Sequence, residues 1–406
     1  MKRMWRPIWT AFRDLFIPIL PKGLVKVLLG NYDFAFLAHP LVLEDLARQY
    51  PLLQGANKEV LKFVSKHLWP VIGSSITGFR DKNGREVKGV VLFCPMSTRL
   101  FVLRHRDTVR KLVRLVRIAE KLQVKIIGLG AFVPIVTHDG KLLAKSTNLN
   151  MTTGTSFSAV IAYLNAKRLA EQCGLMHKDT IVAVVGAGGS VGSICCRLLM
   201  KNFHRFILID KKRESLESVA RGEYFKSIKE KEIFFSTHID TVHHAKVVVV
   251  ATNAPGVIVR SDHLRPGAVV VDAAQPRNVS ARVPFERKDV IVVESGIASV
   301  EGLNTNFEFD LRSYNEVYSC LAEVLILMWL GIDGKQVGKF DLGYVEKLQQ
   351  TASKVGIDIP RFRNRAGFVS QEDIDIVEKI NNEPINSTEK NGMLNESSFF
   401  RKLQIQ

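Results

Sequence analysis

No run of 18 uncharged apolar residues occurs in this chain, which excludes a membrane-spanning helix from the expectation. Five cysteines, Cys94, Cys173, Cys195, Cys196 and Cys320, form no metal-ligand spacing and no disulfide framework. Scattered thiols of odd number point to a reducing compartment, the cytoplasm, and no metal is expected. No zinc spacing or other nucleic-acid module is recognisable, so nucleic acid is not an expected partner. The N-terminus lacks the apolar core and small-residue cleavage site of a secretory signal. Negative charge is scarce: 40 Asp and Glu stand against 57 Lys and Arg, a formal net charge of +17. Such an excess suits an acidic partner or an anionic membrane.

What is present is ordinary for a globular protein of 406 residues, 46% apolar and 24% charged, long enough for two or three domains. Two stretches concentrate the positive charge. Residues 1–31 mix Lys2, Arg3, Arg6, Arg13, Lys22 and Lys26 with Trp5, Trp9, Phe12 and Phe16. That composition suits a membrane interface, and equally a basic leader packed on the domain. In 104–121, Arg106, Arg110, Arg114 and Arg117 recur at helical spacing, opposite Leu112, Val116 and Ala119. This reads as a solvated basic face or as a docking face for an acidic protein.

The strongest chemical signal is TIVAVVGAGGSVGSICCR, residues 180–197. An apolar run stops at Gly186, and Gly188, Gly189, Ser190, Val191 and Gly192 lead into a helix-like segment. Glycines in this pattern let the backbone turn tightly and approach a pyrophosphate at a helix N-terminus. A second apolar run, 205–209, ends at Asp210, 24 residues after Gly186. An acid there binds the ribose 2′-hydroxyl of NAD, whereas Lys211, Lys212 and Arg213 suit a 2′-phosphate; the choice between NADH and NADPH stays open. Further apolar runs at 247–251, 268–271 and 290–293 complete a doubly wound domain, with Thr252 and Asn253 in a loop facing the cofactor crevice.

The rest of the expected α/β architecture is a leader at 1–31, a substrate domain at 32–177 and the Rossmann domain at 178–310. C-terminal helices at 311–358 pack back on it, and a polar, disordered tail fills 359–406. Strands are predicted at 86–93 and 124–129, and helices at 59–68, 152–173, 313–331 and 340–355. Gly128, Gly130, Ala131 and Phe132 follow one strand and suit a pocket wall. Thr152 and Thr153 bring hydroxyls to a helix start, as caps or ligand contacts.

Several segments together resemble the cyanobacterial long-chain fatty acyl-[acyl carrier protein] reductases: FAFLAHPL (34–41), GLGAF (128–132), TTGTSFSA (152–159), VAVVGAGGSVGSICCR (182–197), VVVVATNAPGVI (247–258), VVVDAAQPRNV (269–279) and VYSCLAEVLIL (317–327). They run in the family's order. The resemblance implies NADPH-dependent reduction of an acyl thioester, bound to acyl carrier protein or coenzyme A, to a fatty aldehyde. It implies that Cys320 is the nucleophile. The basic leader, the tail and Asp210 before the lysines depart from the pattern. Read from its neighbours alone, Cys320 looks like a core cysteine; Cys94 is the next candidate. Two rivals stand beside this reading: a small-metabolite dehydrogenase of shikimate-dehydrogenase type, and a non-catalytic nucleotide-binding protein at the membrane. The expected location is the cytoplasm, with peripheral membrane contact through the leader.

Overall fold

The computed structural model describes residues 16–383, except 18, 41, 51–52, 223, 225–229, 306–310, 312, 314 and 339–340. The main elements, in chain order, are α1 (Lys22–Leu29), β1 (Phe34–Ala38), α2 (Lys58–His67), β2 (Val71–Arg80), β3 (Glu86–Phe93), α3 (His105–Lys121), β4 (Ile126–Leu129), β5 (Asn150–Thr152) and α4 (Thr155–Gln172). There follow β6 (Ile181–Val185), α5 (Ser190–Leu199), β7 (Arg205–Ile209), β8 (Glu232–Ser236), β9 (Val247–Val250), β10 (Val269–Asp272), β11 (Ile291–Glu294), α6 (Ser319–Leu330), α7 (Leu342–Lys354) and α8 (Gln371–Asn382). The chain divides into two units, Met1–Phe157 with Ala298–Asp358, and Ser158–Ile297 with Ile359–Gln406.

The first unit holds a mixed sheet. Its strand order is 304–305, β2, β3, β1, β4, β5, 335–336. β1 lies parallel to β3 and β4, and all five of its residues are buried, as a central strand covered on both faces requires. α3 turns Leu112, Leu115, Val116, Ile118 and Ala119 into the core beside Leu37, Leu92 and Ile127. The helix α6 and the strand β4 pack together, Val324 lying where a methyl group on Gly128 would be.

The second unit is a six-stranded parallel sheet of order β11-β10-β9-β6-β7-β8. Counted from β6, this is the 3-2-1-4-5-6 order of dinucleotide-binding folds, with the reversal between β6 and β9. The α/β Rossmann expectation is met.

Several expected boundaries move. α4 begins at Thr155, because Thr152 closes β5 and Thr153 and Gly154 form the turn. The helix expected over 313–331 is a short strand, Glu316–Tyr318, followed by α6 from Ser319; it breaks there because Tyr318 is extended (φ −64°, ψ 141°). The segment 298–358 belongs to the first unit, and α4 after Phe157 to the second. The tail expected to be disordered from 359 carries α8, capped by Ser370 and Asp373 and anchored by buried Ile374 and Val377. Asn381 Nδ2 donates to the carbonyls of Cys173 and Gly267. The polar composition that suggested disorder begins only near 381. Residues 384–406, and with them most of that composition, lie outside the described residues. So do Lys2, Arg3, Trp5, Arg6, Trp9, Phe12 and Arg13 of the leader. Among the described residues no helix is long and apolar enough to cross a membrane.

Candidate functional site

Each unit brings a strand to a turn and the turn to a helix start. In the first unit, ending the strand at Tyr318 makes Cys320 the second residue of α6 rather than a mid-helix residue. The first turn of a helix has backbone N–H groups without intrahelical partners and the positive end of the macrodipole. The backbone N–H groups of Ala131, Leu321 and Cys320 itself favour the Cys320 thiolate. Burial pushes this thiol up to about 11, these three N–H groups oppose the shift, and the nearby Glu323 carboxylate adds to it.

Of the five cysteines, Cys320 alone is partly exposed. Cys94, Cys173 and Cys195 are buried and their thiols pushed up to about 12; Cys196 is buried and shifted the same way. The second candidate, Cys94, is fully buried beyond the end of β3.

Two turns enclose Cys320. Gly154 has φ +71°, and a methyl group there would lie 2.2 Å from Cys320 Cβ, so the turn before α4 tolerates only glycine. Ala131 has φ +48°, a strained conformation for a residue with a side chain. The strain is held by His39, at the end of β1. Its Nε2 accepts from Phe132 N–H at 3.1 Å, its Nδ1–H donates to Pro40 O at 2.9 Å, and its ring stacks on Phe101 at 4.2 Å. Burial drops its pKa to about 4, so the ring is neutral with both nitrogens engaged.

Thr152 and Thr153 are buried and their hydroxyls committed. Thr152 Oγ1 donates to Glu323 Oε1 at 2.5 Å and accepts from Gly154 N–H at 3.1 Å; Thr153 pairs with Thr155 at 2.8 Å. Glu323 Oε2 accepts from Phe157 N–H at 2.7 Å, which places a carboxylate at the start of α4. Tyr344 OH donates to Glu323 Oε1 at 3.2 Å. Burial raises the Glu323 pKa against these three donors. Gly128 and Gly130 are packing positions: added methyl groups would strike Val324 and Phe36. Ala131 and Phe132 thus touch the thiol site through their backbone. His39, Glu323 and Tyr344 were not singled out from sequence as site residues. Glu323 had a signal: it is the one charged residue in SCLAEVLILMWL.

In the second unit, Gly186 (φ +86°) leaves β6 beside Ala251, and a methyl group on Gly192 would lie 2.1 Å from Gly186 O. The loop backbone therefore folds onto the first turn of α5, where only glycine fits and the free N–H groups of the helix suit a pyrophosphate. Ser190 opens α5 and is exposed; Val191 is half-buried. Gly189 is the N-cap, with more room than Gly188 or Gly192. Asp210 accepts from Gly188 N–H and Lys212 N–H, both at 3.1 Å, so it fastens the glycine turn to the end of β7. Lys211 and Lys212 are exposed beside it. The residues fit a nicotinamide dinucleotide, NADPH or NADH. Thr252 Oγ1 donates to Asn278 and accepts from Ala254 N–H, which shapes the loop after β9; Asn253 is exposed.

A family model described as shikimate / quinate 5-dehydrogenase matches residues 168–295, the span of this second unit before its C-terminal elements. The aminotransferase PigE of Serratia sp. (strain ATCC 39006) is 22% identical over 302 residues, 72% of this chain and 35% of that protein. The chain thus spans about a third of that relative's length. The long-chain acyl-[acyl-carrier-protein] reductase of Synechococcus elongatus is 24% identical over 263 residues, 59% of this chain and 71% of the relative. Among solved structures, L-tryptophan dehydrogenase from Nostoc punctiforme aligns over 87% of this chain and 89% of its own, at 15% identity and TM-score 0.37. Glycine turn, strand order and family match give the second unit a Rossmann-type dinucleotide-binding fold suited to NADPH or NADH.

Proposed function

We propose that the chain reduces a long-chain acyl thioester to a fatty aldehyde, with the acyl group carried on Cys320. The setting of Cys320 carries this reading: it is the one partly exposed thiol, in the first turn of a helix, with the Gly154 turn packed against its Cβ. The similarity to the acyl-[acyl-carrier-protein] reductase over 263 residues supports it. The Cys320 thiolate attacks the thioester carbonyl, a C–S bond forms, and the carrier thiol leaves with a proton. A nicotinamide dinucleotide, which the Gly186–Gly192 turn would hold, would supply the hydride that reduces the acyl group on Cys320. The bond to Cys320 then breaks, the aldehyde departs and the thiolate is regenerated. Ala131 N–H, held by His39 through Phe132, stabilises sulfur charge when the thiol ionises. His39 takes no proton, since both its nitrogens are engaged.

The proposed substrate carrier is acyl carrier protein or coenzyme A, and α3 offers the docking surface. Arg106, Arg110 and Arg117 are exposed there, and Arg114 is half-buried, so the face holds three exposed arginines rather than four. Arg110 also binds Asp107 at 2.5 Å, which lowers its free charge.

A second reading, a dehydrogenase of a small polar metabolite, is favoured by the shikimate / quinate family match to the second unit. One experiment separates the two. Palmitoyl thioester is mixed with the protein without nicotinamide, and the intact mass is measured. One added acyl group, absent in Cys320→Ser, is the expected result. No acylation, together with NADP-linked oxidation of shikimate that survives Cys320→Ser, would establish the second reading instead.

A further inference from the structure

The segment entering the first unit presents an apolar ridge that nothing in the proposed reaction uses. Phe16, Ile19, Leu24, Val27 and Leu28 are all exposed, Ile19 at 76% and Val27 at 82%. Within α1, Leu24, Val27 and Leu28 fall at spacings of three and four and form one stripe. Val25 and Leu29 form the adjacent stripe and pack in the core with Ile17 and Leu20. Lys121 Nζ, from α3, donates to Leu20 O at 2.9 Å and fixes the segment further. A helix of 8 residues is marginal alone, and here it is held by its buried stripe. The outer stripe is therefore a preformed surface.

Charge identifies what it fits. Lys22 and Lys26 occupy the remaining arc of α1, are exposed, and make no ion pair among the described residues. Across residues 1–32 the sequence has six basic residues and one acidic one, Asp14. A second copy of this chain would bring the same positive charge to the face, which disfavours self-association. An anionic bilayer offers acyl chains to the stripe and phosphates to the lysines.

We propose that the outer stripe of α1, with Phe16 and Ile19 before it, seats the protein on the surface of an anionic membrane. The proposal does not depend on the reaction catalysed. The test is co-sedimentation of the full chain with phosphatidylcholine vesicles, with and without phosphatidylglycerol. Binding should require phosphatidylglycerol. Lys22→Gln with Lys26→Gln should weaken it about fivefold per lysine. Leu24→Ser with Val27→Ser and Leu28→Ser should weaken it about tenfold or more, since each loses buried apolar area in the bilayer. All three side chains are exposed, so the melting temperature should hold; Val27→Ser alone supplies the reading if the triple variant melts early. Wild-type binding to neither vesicle, or equal binding by the stripe variants, overturns the proposal. So does a wild-type dimer that the triple variant converts to monomer, which would assign the face to a second copy.

Discussion

The two functional turns use the same elements to opposite ends. After β6, the backbone itself is the binding surface: glycines remove side chains so that helix N–H groups face outward. Before α6, a side chain of the protein, the Cys320 thiol, occupies the helix start, and the Gly154 turn closes on it. One turn is emptied of side chains, and the other is filled by a thiol. Both turns place a helix start, where backbone N–H groups favour negative charge, at the end of a strand.

Breaking one turn should leave the other intact. Cys320→Ser should abolish acyl-enzyme formation and cut aldehyde production by about 10³-fold or more, while nicotinamide binding by fluorescence titration stays unchanged. Equal loss of cofactor binding would mean that the thiol site is not separable.

His39 should show the next largest effect, in stability rather than rate. Its pKa falls from 6.5 in the unfolded chain to about 4 in the fold, so the unfolded state binds the proton first as pH drops. Its stabilisation is present above pH 6.5 and is lost as pH falls towards 4, by about 3 kcal/mol in all. Urea unfolding at a series of pH values should show that slope in the wild type and a flatter one in His39→Gln. The variant should also alkylate Cys320 with an altered pH profile, because Phe132 and Ala131 lose their anchor.

Gly192→Ala is the counterpart in the second unit. Its methyl group would meet Gly186 O at 2.1 Å, so the turn must open. Dinucleotide affinity should fall about 100-fold, roughly 2.7 kcal/mol, with acylation of Cys320 unchanged. The smallest effect concerns cofactor choice. Lys211→Ala with Lys212→Ala should shift the ratio of kcat/KM values towards NADH about tenfold if the lysines hold a 2′-phosphate. An unchanged ratio would give the discrimination to Asp210.

The sequence revealed the second turn far better than the first, for a physical reason. Gly186, Gly188 and Gly192 are constrained by backbone geometry within one strand-turn-helix unit, so local spacing records the constraint. The thiol site draws on Ala131, His39, Gly154 and Glu323, four separate segments that meet only through the sheet order of the first unit. Apolar periodicity also carried no mark of the strand at Glu316–Tyr318, since α6 is apolar on nearly every side. Without that break, Cys320 looked like packing. The nucleophile role rests on the likeness of VYSCLAEVLIL to a known family, not on local periodicity.

Burial of the other four thiols gives the protein a built-in stoichiometry. A small electrophile meets one reachable sulfur per folded chain and five once the chain is unfolded. Alkylation therefore counts competent sites in any preparation, and the ratio of native to denatured label measures the folded fraction directly.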